Sequence, residues 1–121
     1  MKKIFITFLI LFSIIIQAQE VGYATWYGNT GSGSRTANGD KFSENNLTCA
    51  AASHYKFGTT LRVTNLSNDK SVIVKVTDRG SAISKKTNKL IDLTKLAFSK
   101  IASLSTGKIK IRIEILKELI E

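Results

Sequence analysis

The closing stretch of the chain constrains its fold more than any other. Ile109, Ile111, Ile113 and Ile115 alternate with Lys110, Arg112 and Glu114, and Lys108 precedes them on the charged side. A period of two sends neighbouring side chains to opposite faces, which is the geometry of a strand. One face must meet an apolar core and the other water. A strand this rich in isoleucine is an aggregation hazard at a free sheet edge, and a sheet that closes on itself removes the hazard.

The same pattern recurs upstream. Leu61 and Val63 oppose Thr60, Arg62 and Thr64; Val72, Val74 and Val76 share one face of Ser71–Thr77. The polar link Asn65–Asp69 joins the two runs, which predicts a hairpin. Val21–Tyr27 reads as a further strand, rich in aromatic and β-branched residues. Residues 28–39 carry Gly, Ser, Asn and Thr and read as a long mobile loop. Their GSGS does not continue into Gly-Lys-Ser/Thr and a helix, so it is not a phosphate loop. Leu93, Leu96, Ala97 and Ile101 recur at helical spacing, with Asp92 or Thr94 as the N-cap and Gly107 beyond the end. Strands at regular intervals with one short helix suggest a closed all-β barrel.

The first residues are a separate matter. Met1-Lys2-Lys3 is a basic start, Ile4–Ile16 is apolar apart from Thr7 and Ser13, and Ala18 is a small residue before Gln19. That layout predicts a signal peptide over 1–18 and a single domain over 19–121. The alternative is an uncleaved anchor, although about 20 apolar residues are needed to span a bilayer. Cleavage would leave no stable membrane anchor and would place the protein in the periplasm or outside the cell. The formal charge is +9; loss of Lys2 and Lys3 lowers it by two. Such a charge draws anionic polymers, and export argues against nucleic acid as the partner. Cys49 is the only cysteine, so no intrachain disulfide can form, and a buried inert thiol is expected. With one His and one Cys, no metal site and no cofactor are expected.

Several segments then agree, in order, with one family. They are GYATWYG (22–28), TANGD (36–40), LTCAA (47–51), FGTTLRVTNLSNDKSVIVKVTDRG (57–80), IDLTKLAF (91–98) and the closing β-run. Together they resemble the RlpA-like septal lytic transglycosylases and, more distantly, expansins and barwin-type proteins. The resemblance covers nearly all of 19–121. It implies a six-stranded double-psi β-barrel acting, as a monomer, on peptidoglycan glycan strands. The implied reaction cleaves the bond between N-acetylmuramic acid and N-acetylglucosamine and leaves a 1,6-anhydro end. The alternative it leaves open is a non-catalytic peptidoglycan-binding or expansin-like wall-loosening module.

The resemblance also nominates residues. Asp78, of the Asp-Arg-Gly motif, is the catalytic candidate; its other reading is a carboxylate that ties down the turn. A single carboxyl would first protonate the glycosidic oxygen and then take the proton of the sugar's C6 hydroxyl. Shelter from water suits that role, and an inward Arg79 guanidinium would oppose it. Asp40 matches the family's acidic residue after Ala-Asn-Gly and could bind sugar or assist the proton, or stand idle in a loop. Three positions on, Ser43 replaces a family carboxylate. The family's histidine position falls on Ala51 or Ala52 here, and His54, the only histidine, lies two or three residues later. His54 either swings into the cleft as a catalytic group or remains a loop residue. Trp26 and Tyr27 offer flat rings for stacking on sugar, one of them expected to fill core. Asn65 and Arg79 complete the expected substrate contacts, with Asn65 placed beside the cleft. Lys108, Lys110 and Arg112 form a basic stripe that reads first as a solvated outer face.

Overall fold

The computed structural model describes residues 19–27, 34–80, 83–84 and 86–118. The expected signal peptide over 1–18 lies outside them, as does part of the loop expected over 28–39.

The isoleucine-rich run forms the longest strand and organises the barrel around it. In chain order the elements are β1 (Gln19–Trp26), β2 (Thr48–Ala51), β3 (Thr60–Asn65), β4 (Ser71–Asp78) and β5 (Lys89–Leu93). A short helix α1 (Lys95–Ser99), a single 3-10 turn (Leu104–Thr106) and β6 (Ile109–Lys117) follow. The sheet closes in the order β1-β5-β2-β4-β3-β6. Two neighbouring pairs, β1–β5 and β2–β4, run parallel and the rest antiparallel. This is the six-stranded double-psi barrel with one short helix that the resemblance implies.

Alternation sets the core. Ile109, Ile111 and Ile113 from β6 meet Leu61 and Val63 from β3 and Val72, Val74 and Val76 from β4. Ala24, Cys49, Ala51, Ile91 and Leu93 close the other side. Cys49 is fully buried, and burial pushes its thiol well above the usual cysteine range, with Arg79 partly opposing. Gly22 is small because β1 crosses β5 closely there. A Cβ at that position would lie 2.5 Å from Leu90 Cδ1 and 2.7 Å from the Asn88 carbonyl oxygen.

The hairpin forms as the pattern predicts, with Asn65 N–H bonded to Lys70 O at 2.8 Å and Asp69 in the left-handed region at φ 58°. The helix is shorter than its apolar spacing suggests. Leu93 belongs to β5, and α1 starts after Thr94, whose hydroxyl accepts from Ala97 N at 3.3 Å. Thr94 is therefore the cap, and Asp92 sits two residues earlier on the strand. Trp26 packs against the core and donates its indole N–H to Leu104 O at 3.1 Å, strapping the 3-10 turn to β1.

Candidate active site

Barrel register assembles the site. Thr25 on β1 pairs with Asp92 on β5, Asp92 pairs with Ala50 on β2, and Ala50 pairs with Asp78 on β4. Cys49 and Ala51 enter the main hydrophobic cluster and Ala50, though fully buried, stands outside it, so this row lies on the opposite face of β2, with Thr25, Asp78 and Asp92 partly exposed around a covered Ala50. Strand pairing places the two aspartates on either side of a methyl group, with Cα atoms about 10 Å apart at two strand spacings. A bulge between Val76 and Asp78 brings Asp78 opposite Ala50; such an irregularity re-aims a side chain at a sheet's working face.

Asp78 is half-buried and firmly held. Its Oδ1 accepts from the backbone N–H of Ala37 at 3.0 Å and of Arg79 at 2.9 Å. Its Oδ2 accepts the Tyr27 hydroxyl at 3.2 Å. Burial, then the Asp78 charge, holds the Tyr27 phenol far above its ordinary value, so Tyr27 stays a donor. Two amides fix one oxygen, and the other shares only a long bond with a hydroxyl.

The Ala37 amide comes from the Thr-Ala-Asn-Gly-Asp segment, which docks on the end of β4. Asn38 N–H bonds Thr77 O at 3.1 Å, and Thr36 N–H bonds Asp40 O at 2.8 Å. Gly39 makes the turn at φ 93°, a conformation that favours glycine. Phe42 closes the loop under the Tyr27 ring, with centroids 5.0 Å apart. Asp40 rides on this loop, exposed, its Oδ2 accepting from Asn38 Nδ2 at 3.0 Å. The structure thus gathers Asp78, Tyr27 and the Asp40 loop.

Arg79 turns away from the carboxylate beside it. Its guanidinium lies 4.1 Å over the Phe57 ring and reaches the carbonyls of Asp78 and Ala51 at 3.3 and 3.4 Å. No ion pair joins the Arg79 guanidinium to the Asp78 carboxylate among the described residues.

Two of the expected contacts lie elsewhere. Asn65 is 3% exposed. It donates to Ile101 O at 2.8 Å and accepts from Ser67 N and Oγ. It is spent on the β3–β4 turn rather than standing beside a cleft, because its amide satisfies a buried carbonyl that water cannot reach. His54 bonds Glu20 at 2.8 Å and stacks on Tyr55 at 4.3 Å; the Tyr55 hydroxyl donates to the same carboxylate oxygen. His54 and Glu20 line a cavity of about 290 Å³ with Lys89 and Asn88. It makes no hydrogen bond to Asp78 or Asp92 among the described residues. Ala51, one of the two positions where the family has its histidine, is a core residue.

Sequence reasoning missed Asp92. Its carboxylate accepts the Thr25 hydroxyl and pairs with Lys89 Nζ at 3.1 Å. Its side chain is only 15% exposed. Gly80 leaves room for it, since a Cβ there would sit 3.1 Å from Asp92 Oδ2. The signal was present in Ile-Asp-Leu, an acid between two residues of one strand face, but the helix-cap reading claimed it. No group of His, Cys, Asp and Glu among the described residues is arranged to hold a metal ion.

Comparison with known proteins supports this frame. The family described as "Lytic transglycolase" matches residues 19–113. The chain is 40% identical over 95 residues to a Campylobacter jejuni protein named endolytic peptidoglycan transglycosylase RlpA, covering 78% of this chain and 33% of that one. It is 43% identical over 100 residues to the Rickettsia bellii protein of the same name, covering 80% and 42%. It spans about a third to two-fifths of the length of these curated relatives. Among solved structures, a Streptomyces papain inhibitor superposes with a TM-score of 0.66 at 21% identity, covering 83% of this chain and 96% of that one. A Clavibacter michiganensis expansin gives 0.66 at 21%, covering 86% and 53%. At such identities these structures speak to the barrel alone, whereas the match over 19–113 speaks to lineage: the chain belongs to the lytic transglycolase family.

Proposed function

We propose that this protein cleaves peptidoglycan glycan strands by lytic transglycosylation, with Asp78 as acid and then base. The observation that carries the reading is the row in which two partly exposed carboxylates, Asp78 and Asp92, flank Ala50. Protonated Asp78 Oδ2 gives its proton to the glycosidic oxygen as the bond to C1 breaks. The C6 hydroxyl of the same muramyl sugar attacks C1, and the Asp78 carboxylate takes the hydroxyl proton. The ring closes to the 1,6-anhydro product, and no water is consumed. Asp92, paired with Lys89 at 3.1 Å, lies on the same row and faces the positive charge that grows at C1. Tyr27 holds Asp78, and the Arg79–Phe57 stack offers a flat surface to sugar. Asp40, on the loop that docks against the end of β4, serves as an auxiliary contact. The relatives named RlpA support peptidoglycan as substrate. The leader-like layout of 1–18 supports a location outside the cytoplasmic membrane.

The test is incubation of the protein with purified sacculi and with glycan strands lacking stem peptides, followed by mass spectrometry for anhydro-muramyl ends. Product from the wild type and none from Asp78→Asn is the expected result. Undiminished product from Asp78→Asn would remove Asp78 from the mechanism. One observation favours a second reading, binding without cleavage: His54 is committed to Glu20 while Ala51 or Ala52 holds the family's histidine position. Retention on sacculi with no soluble product would establish it.

A further inference from the structure

The side of the barrel away from the carboxylate row has a chemistry of its own. Alternation alone would give β6 a solvated face of mixed charge. Register does something different. Lys75 on β4 and Lys117 on β6 both pair with Thr60. Arg62 lies between Ile73 and Glu114, and Arg112 between Thr64 and Val21. Lys110 pairs with Tyr23, whose ring carries the Lys108 ammonium 4.5 Å from its centroid. Six cations thus share one outer face, and among its strand-paired residues the one carboxylate between them is Glu114. Glu114 is divided between Arg62 at 3.8 Å and Arg112 at 3.5 Å, and it neutralises at most one of them.

We propose that the outer face of β4, β3, β6 and β1 docks a linear polyol-phosphate polymer, held across the strands by these six side chains. Like charges packed on adjacent strands destabilise a sheet face, and a polyanion laid over them removes that repulsion and releases its own counterions. Three strand spacings carry the band across about 14 Å, which a single phosphate group does not span and a chain does. The two guanidinium forks match phosphate oxygens in shape. Val21 and Ile73, 46% and 49% exposed, flank the arginines and offer apolar ground to the carbon backbone of a polyol.

The test measures binding of the full mature chain to immobilised poly(glycerol phosphate) over a range of salt. One variant replaces Lys75, Lys110 and Lys117 with Gln, all exposed and without folding duties. A control replaces Lys56, Lys86 and Lys100, equally exposed but off this face, so net charge falls equally. The face variant is expected to bind at least about tenfold more weakly, with the log–log salt slope reduced by about 2–3; the control should change affinity less than about threefold. Equal losses in the two variants would overturn the proposal, leaving net charge as the cause. Tighter binding to phosphatidylglycerol vesicles would overturn the polymer, and equal binding to polyglutamate would overturn phosphate. The readout is independent of glycan cleavage, so neither result bears on the role of Asp78.

Discussion

The two seams of this barrel are built by opposite means. On the β4-β3-β6-β1 side the strands are six to nine residues long and mostly alternate, with Arg62, Lys75, Lys110 and Arg112 turned outward and one register shift at Thr60/Leu61. On the β1-β5-β2-β4 side the two inner strands, β2 and β5, have only four and five residues and are almost wholly buried. There the register shifts at Tyr23/Ala24 and at Cys49/Ala50. The regular side makes a stable wall. The irregular side spends that regularity to lift Asp78 and Asp92 into one row with a methyl group between them. With the proposed function, stability and chemistry fall to different halves of one closed sheet.

The sharpest way to break this division is at the carboxylate. Asp78→Asn keeps both backbone N–H bonds to Oδ1 in shape but cannot carry the proton. Turnover should fall by about 10²–10⁴-fold, while the melting temperature stays within a few degrees. A collapse in stability with little change in the remaining activity would make Asp78 a turn anchor and dissolve the contrast. Core truncations should show the reverse. Ile111→Ala on the regular side and Ile91→Ala on the irregular side each remove a fully buried side chain, at a cost of about 2–5 kcal/mol in denaturant unfolding. Only Ile91→Ala, next to Asp92, should also reduce activity measured well below the melting point.

Legibility followed the same line. The strands visible in the sequence were β1, through its aromatic and β-branched residues, and β3, β4 and β6, whose apolar residues alternate with exposed or half-exposed ones over part of each strand. Thr-Cys-Ala-Ala gives no alternation to read, since β2 is covered on both faces. β5 was hidden because Ile-Asp-Leu could serve equally as a strand or as the entrance to a helix, and the capping signal of Thr94 is only two residues away. Asp92 was lost with it. Asp78 and Tyr27 were singled out through the family's motifs, and the structure adds the bond between them. Asn65 looked functional because it ends a strand beside a turn. What it does there, satisfying Ile101 O, depends on a contact 36 positions away, which no local pattern carries.

Asn65 therefore tests the stable half in a second way. Asn65→Ala removes one of two donors to the buried Ile101 carbonyl, which keeps Asn68 Nδ2 at 2.9 Å, and should destabilise the fold by about 0.5–1.5 kcal/mol, with KM for glycan unchanged. Alkaline titration reaches both halves. Burial raises Cys49, Tyr27 and Tyr55 in the folded state. Below the ordinary cysteine value of 9.0 both states hold these protons, and the contribution to stability is constant. Above it the unfolded chain releases protons that the folded chain keeps, so stability must fall as pH rises, more steeply past the ordinary tyrosine value of 10.0. Tyr27→Phe should make that fall shallower.

The smallest effect is expected at His54, and it discriminates most finely. The His54 side chain is 49% exposed and its partner Glu20 38%, so the pair is screened by water and adds about 0–1 kcal/mol. Tyr55, bonded to the same carboxylate, keeps Glu20 anchored when the imidazole is gone. His54→Gln should therefore shift the melting temperature by a few degrees at most. It should leave both turnover and the acidic limb of the pH–activity profile in place, because the proposed proton traffic runs through Asp78. If instead the acidic limb moves or turnover falls by more than about tenfold, the imidazole reaches the glycan from its cavity beside Lys89. The working surface would then extend past Asp92 to the start of β1, well beyond the row that register alone defines.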